Sequence, residues 1–318
     1  MLSVEAIQAA RRPLALYIHR TPLHKSRTLS ERLGTNVYLK LELFQKTGAF
    51  KPRGAFTKLL NLTDEERERG LVAFSGGNFA QAVAYAGSVL GIETRILMPE
   101  TTPANYLDAT RGYGAEVELT PSVQVMLDRA EAYAASGMTL LHPFDDPYMM
   151  IGNGTLGLEL LEDLPQLTDV VVSIGGGGLL AGVTTAIKGL KPDVRVWGVE
   201  TEGADAMKRS LAAGEVVAIT PTSVAKTLGA PYVAAEALRI AQTELEDVIV
   251  VSDREAVAAL KIILERAKVL TEPAAACTLA AADRLAPHFG ADRHVALILC
   301  GGNISLQDVC KLGEKFSV

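Results

Sequence analysis

Basic blocks, metal motifs and long apolar runs are all missing from this chain, and each gap removes a class of function. Lysine and arginine (31) are outnumbered by aspartate and glutamate (37), leaving a net charge of −6 over 318 residues. With no basic cluster and aromatics at only 5%, nucleic acid is not the expected partner. The three cysteines, Cys277, Cys300 and Cys310, and the five scattered histidines have no metal-ligand spacing, and the cysteines form no disulfide framework. Residues 1–23 break every short apolar run with charge, so neither a secretory signal nor a spanning helix is expected there. The expectation is a cytoplasmic protein with no membrane partner.

What the chain does have is apolar bulk (48%) and glycine (28 residues), the composition of a compact enzyme of two lobes or one large α/β domain. Strand-length apolar runs alternate with longer amphipathic segments, as βαβ units do. Strands are expected at residues 36–42, 94–99, 115–119, 169–174, 194–200, 248–253 and 294–300, with helices near 79–90 and 104–113. Thr63 with Glu66 and Ser252 with Glu255 have capping-box spacing. The all-apolar strand 169–174 suits a parallel sheet covered on both faces, and such open sheets bind ligands at the carboxyl ends of their strands.

Two glycine turns stand at such ends. "SIGGGGLLAG", residues 173–182, follows a strand and opens a helix, so its amides can form a nest for a phosphate. Close helix packing would also call for glycine there. A dinucleotide site needs Gly-x-Gly-x-x-Gly near the first strand; this turn does not fit, although Glu200 at the end of the next strand keeps a nicotinamide-dependent oxidoreductase as a second reading. "FSGGNFAQAVAYAG", residues 74–87, repeats the arrangement and adds Ser75 and Asn78, groups suited to a substrate carboxylate. In "QKTGAFKPRG", residues 45–54, Lys51 sits between Phe50 and Pro52, the proline suiting a first helical position. Taken alone it is an ordinary surface lysine. Desolvated at a helix start, its amine would lose protons more readily and become a nucleophile.

The segments "KTGAFKPRGA", "SGGNFAQA", "GNGTLGLEL", "SIGGGGLLAG", "LTEPAAA" and "CGGNISL" fall in an order and spacing that resembles the fold-type II pyridoxal-phosphate enzymes, with most likeness to the serine/threonine dehydratase and serine racemase branch. The resemblance implies two open α/β lobes of the tryptophan synthase β-like architecture with the active site in the cleft between them. The large lobe is expected at residues 1–68 and 147–318 and the small, closing lobe at 69–146. It implies that Lys51 carries pyridoxal 5'-phosphate covalently and acts as general base. Gly175, Gly176, Gly177, Gly178 and Leu179 would hold the cofactor phosphate, Asn78 its ring hydroxyl and Phe50 its ring face, with Cys300 beside the ring nitrogen. Ser75, Gly76, Gly77, Asn78 and Phe79 would take the substrate carboxylate.

The activity so implied is α,β-elimination from L-threonine, L-serine or a related β-hydroxy amino acid, giving a 2-oxo acid and ammonia; racemisation or β-replacement on the same fold are the alternatives. Gly76 stands where racemases of the branch place a serine base, so weak racemisation is expected. Glu200, Ala204 and Asp205 fall near the racemase cation site, but the second carboxylate aligns with Ala206, which leaves a divalent or monovalent cation open. Asn153 in "GNGT", and Lys226 where the branch has an aspartate, are expected to bear on substrate choice. The short tail after "CGGNISL" leads to no expectation of a regulatory domain, and a homodimer is implied by resemblance.

Overall fold

The computed structural model describes residues 1–318. Its ten strands are β1 (Leu23–Lys25), β2 (Asn36–Leu41), β3 (Leu71–Phe74), β4 (Thr94–Pro99), β5 (Glu116–Thr120), β6 (Thr139–Leu141), β7 (Asp169–Ser173), β8 (Arg195–Thr201), β9 (Asp247–Val251) and β10 (His294–Leu299). They form two sheets. One has the order β1-β2-β10-β7-β8-β9 and is parallel except for β1; the other, β5-β4-β3-β6, is parallel throughout. The strands and helices expected from the sequence are present with ends shifted by one or two residues, and both capping boxes form.

Burial follows the pattern. All five residues of β7 are buried, as its unbroken apolar run requires between helices on two faces. The larger core gathers around the six-stranded sheet. A second core joins the small sheet to Leu14, Ala55, Phe56, Leu59 and Met149, which come from outside the stretch 69–146. The helix Pro52–Leu60 therefore packs into the small sheet's core, with Lys51 as the residue just before its first turn. No helix is long and apolar enough to cross a membrane.

Register places the chemistry. Leu299 pairs with Leu41, and Leu297 with Val171, so β10 lies between β2 and β7 and the three release their next residues at one edge. Those residues lead into the segment before Lys51, the glycine turn and Cys300. The small sheet contributes the turn after β3, which opens the helix Asn78–Leu90.

Candidate active site

A cavity of about 620 Å³ lies where these turns meet. Phe50, Lys51, Ser75, Gly76, Gly77, Asn78, Phe79, the run Gly175 to Leu179 and Cys300 all line it. Lys51 is fixed by backbone. Phe50 N–H donates to Cys300 O at 3.0 Å, Ala49 bridges Gly301, and Gly302 N–H donates to Gly48 O at 2.9 Å, so the strand leaving β10 zips the loop in place. Pro52 then starts the helix at its first position, where a missing N–H costs nothing.

The Lys51 amine donates to Pro143 O at 2.8 Å and lies 5.1 Å from the Phe50 ring and 5.6 Å from the Phe79 ring. No carboxylate pairs with it. Desolvation dominates and pulls its pKa down to about 8, with Cys300 and Glu272 pulling the other way. Glu272 is buried and accepts from Asn78 Nδ2 at 2.9 Å, Thr227 Oγ1 at 3.0 Å and Tyr106 OH at 3.5 Å. Burial nonetheless raises it to about 7, against the lowering effect of those donors. Burial, then the neighbouring Glu272, pushes the Cys300 thiol up to about 12, so it stays neutral at working pH. Ser173 Oγ donates to its sulfur at 3.4 Å.

Asn78 is the hub between the sheets. Its Oδ1 accepts from Asn303 Nδ2 at 2.8 Å, and Asn303 also reaches Thr47 O at 2.7 Å. Gly301 allows this crowding, because a Cβ there would stand 2.8 Å from Glu272 Oε1 and 3.0 Å from Asn78 Nδ2.

The glycine turn fits a phosphate, for a reason beyond the one the sequence offered. Gly177 has φ of 89°, which favours glycine, and the helix Gly178–Leu190 starts behind it. The amides of Gly175, Gly176 and Gly177 donate to no protein acceptor, the arrangement expected of an anion nest at a helix N-terminus. Yet side chains here would first meet protein: a Cβ on Gly176 would lie 2.1 Å from Phe144 Cγ, and one on Gly177 2.4 Å from Ala237 Cβ. Close packing and an open nest therefore both require glycine. Phe144 belongs to the segment that also supplies the Pro143 carbonyl, and His142 Nδ1 braces it by accepting from Asp145 N–H at 2.8 Å.

Glu200, Ala204 and Asp205 do not line the cavity. Both Glu200 oxygens accept backbone N–H groups, of Met207 and Lys208, at 2.8 Å, while Asp205 pairs with Arg209 at 2.9 Å, and no group of three or more His, Cys, Asp or Glu side chains gathers as metal ligands. Glu200 thus caps the helix Ala206–Ala213. Asn153 is buried in the helix Pro147–Asp163 and does not reach the cavity, whereas Lys226 does line it. The sequence reading missed Glu272, Thr227, Tyr106, Asn303 and Thr102. Glu272 and Asn303 lie inside the quoted segments "LTEPAAA" and "CGGNISL", which is the one signal that could have flagged them. Thr102 has a buried hydroxyl without a partner, 3.0 Å from where a Gly76 Cβ would be.

Comparison with known proteins agrees with this geometry. The family described as pyridoxal-phosphate dependent enzyme matches residues 14–301. The chain is 40% identical over 324 aligned positions to the L-threonine ammonia-lyase of Thermotoga maritima, covering 99% of this chain and 79% of that one. Maize serine racemase superposes with a TM-score of 0.93 at 33% identity, covering 99% of this chain and 97% of that one. The threonine deaminase of T.th. superposes at 0.90 with 39% identity, covering 96% and 99%. A nicotinamide-binding reading of the glycine turn falls away, and the chain belongs to the pyridoxal-phosphate dependent enzymes of fold type II.

Proposed function

We infer that this chain is a pyridoxal-phosphate dependent ammonia-lyase that converts L-threonine, L-serine or a related β-hydroxy amino acid to a 2-oxo acid and ammonia. The observation that carries this reading is Lys51: an amine without an ion pair, lowered to about 8 by desolvation, in a cavity that also holds an open glycine nest. Gly175 to Leu179 would hold the phosphate through backbone amides, Asn78 the ring hydroxyl, Phe50 the ring face, and Ser75 to Phe79 the substrate carboxylate. When bound, the cofactor supplies a sink for the electron pair left at the substrate α-carbon.

The residues divide the remaining work. Lys51, poised near neutral pH, takes the α-proton. Cys300 is neutral up to about 12 and so would offer the cofactor's ring nitrogen no anion, which would favour loss of the β-hydroxyl over transamination. Gly76 carries no second base, which disfavours racemisation. The small sheet, taken as a lobe spanning residues 69–146, closes on the rest, 1–68 and 147–318, and excludes water from the reacting atoms. A homodimer in the cytoplasm completes the reading.

The test is release of 2-oxo acid and ammonia from L-serine and L-threonine by enzyme loaded with pyridoxal phosphate, alongside O-acetylserine with sulfide. Oxo acid from a free hydroxy amino acid is expected. Cysteine formation from O-acetylserine without any oxo acid from serine or threonine would replace the reading with β-replacement.

A further inference from the structure

An asparagine amide can meet a ligand with either end, oxygen or nitrogen, and the chain around Asn78 decides which. The decision starts at a backbone carbonyl. Thr47 O can only accept, and it takes a hydrogen from Asn303 Nδ2 at 2.7 Å. The other hydrogen of that nitrogen goes to Asn78 Oδ1 at 2.8 Å. Asn78 then turns Nδ2 to its remaining neighbour, Glu272 Oε1, which accepts at 2.9 Å. Each bond fixes the sense of the next.

Both anchors are themselves held. Asn303 packs against Gly48, whose φ is 73° and where a Cβ would come 2.5 Å from Asn303 Oδ1, so a side chain there would take the amide's seat. Tyr106 OH donates to the backbone carbonyl of Asn303 and stands 3.5 Å from Glu272 Oε2, while Thr227 Oγ1 donates to Glu272 Oε1 at 3.0 Å. Asn78 and Tyr106 lie on the helices Asn78–Leu90 and Ala104–Gly112, which pack into the small sheet's core; Thr47, Thr227, Glu272 and Asn303 come from elsewhere. The circuit closes only with the two sheets together.

A tie between the sheets would be served by either sense of the amide. Here the sense is fixed from both sides, and it leaves a remainder. Asn78 Oδ1 is occupied, Nδ2 keeps one hydrogen that no atom of the chain accepts, and the side chain lines the cavity beside Lys51. We propose that Asn303, with Glu272 as the opposite anchor, is a positioning residue that locks the Asn78 amide with its spare N–H toward the cavity, so that this corner selects an acceptor oxygen on the ligand. The inference deepens the assignment of Asn78 to the cofactor's ring hydroxyl and rests on it. A neutral hydroxyl can accept here, but an ionised one gains a charge-assisted bond, so the locked amide favours the anion.

The test measures the affinity of the cofactor-free protein for pyridoxal phosphate and for 3-deoxypyridoxal phosphate, which lacks the ring oxygen, by fluorescence titration. Comparing the ratio of the two affinities between proteins cancels the difference in the aldehydes' own reactivity. Asn303→Ala, which removes the donor that fixes Asn78, should lower the preference for pyridoxal phosphate by about tenfold. Tyr106→Phe loosens one anchor and Glu272→Gln can turn either amide end to Asn78; each should lower it by about threefold. In the loaded proteins at one pH, the visible band of the ionised ring hydroxyl should give way in Asn303→Ala to the near-ultraviolet band of the neutral form. A merely structural role would weaken both ligands alike. Ratios and bands unmoved in whichever of the three variants fold, with oxo acid still formed by the wild type, overturn the proposal and leave the ammonia-lyase reading standing. The expected shifts without oxo acid from L-serine, L-threonine or another β-hydroxy amino acid sustain the lock and overturn the lyase reading instead.

Discussion

Lys51 and Arg53 are two residues apart at the start of one helix, and the fold treats their charges in opposite ways. Arg53 is fully buried and completely matched. Its guanidinium donates to Glu42 at 2.8 Å through both Nε and Nη2, to Glu159 at 2.7 and 3.0 Å, and to Thr155 at 3.1 Å. Lys40 completes the cluster by donating to Glu159 at 2.6 Å and Thr21 O at 2.8 Å. Burial works against the Arg53 charge, but Glu42 and Glu159 outweigh it and hold the guanidinium protonated. Lys51 has a carbonyl, two aromatic faces and no carboxylate. A buried charge with all its partners is architecture, tying the helix Pro52–Leu60 to β2 and to Pro147–Asp163; one deprived of them is free to react.

Breaking the matched cluster should cost most. Arg53→Ala strands Glu42 and Glu159, and denaturant titration should show a loss of about 3–5 kcal/mol. Lys51→Met should cost the cofactor-free protein nothing at pH 7; a loss equal to that of Arg53→Ala would erase the contrast.

The next effect is a pH dependence. Unfolded Lys51 keeps its proton to about 10.5 but the folded residue releases it near 8, so the unfolded chain binds more protons in that interval. Stability of the cofactor-free protein should therefore rise from pH 8 to 10.5, by on the order of 2–3 kcal/mol, relative to Lys51→Met. Glu272 runs the other way: folded, it holds its proton to about 7 rather than 4.5, so its contribution is full below 4.5 and is lost as pH rises through 7. Unfolding midpoints of wild type, Lys51→Met and Glu272→Gln across both intervals check the two signs.

Smaller still is Gly176→Ala, whose Cβ would meet Phe144 Cγ at 2.1 Å. Overpacking of about 1–3 kcal/mol is expected, with weaker pyridoxal-phosphate binding by fluorescence titration. The exposed Arg239–Glu236 pair, 2.7 Å apart, sets the floor. Arg239→Gln should change stability by no more than about 1 kcal/mol.

The features legible in the sequence were those whose cause is local. Pro52 after Lys51, the two capping boxes, Gly91 ending its helix and the glycines after β7 each answer a backbone requirement a few residues long. Asn78, Tyr106 and Thr227 come from three separate segments, and only the fold brings them to Glu272. The Arg53 cluster was hidden for the same reason, since residues 42, 53 and 159 share no periodicity. Asn153 misled because resemblance gives a position in a motif and says nothing of which way the helix Pro147–Asp163 turns it.

The most direct test of an unpaired, reactive Lys51 is the visible absorption band of the protein reconstituted with pyridoxal phosphate, followed with oxo-acid release in wild type and Lys51→Ala. The account predicts a band and turnover of at least one β-hydroxy amino acid in the wild type, and in Lys51→Ala loss of the band and a fall in rate of about a thousandfold or more. An equal band and undiminished turnover in Lys51→Ala would contradict it.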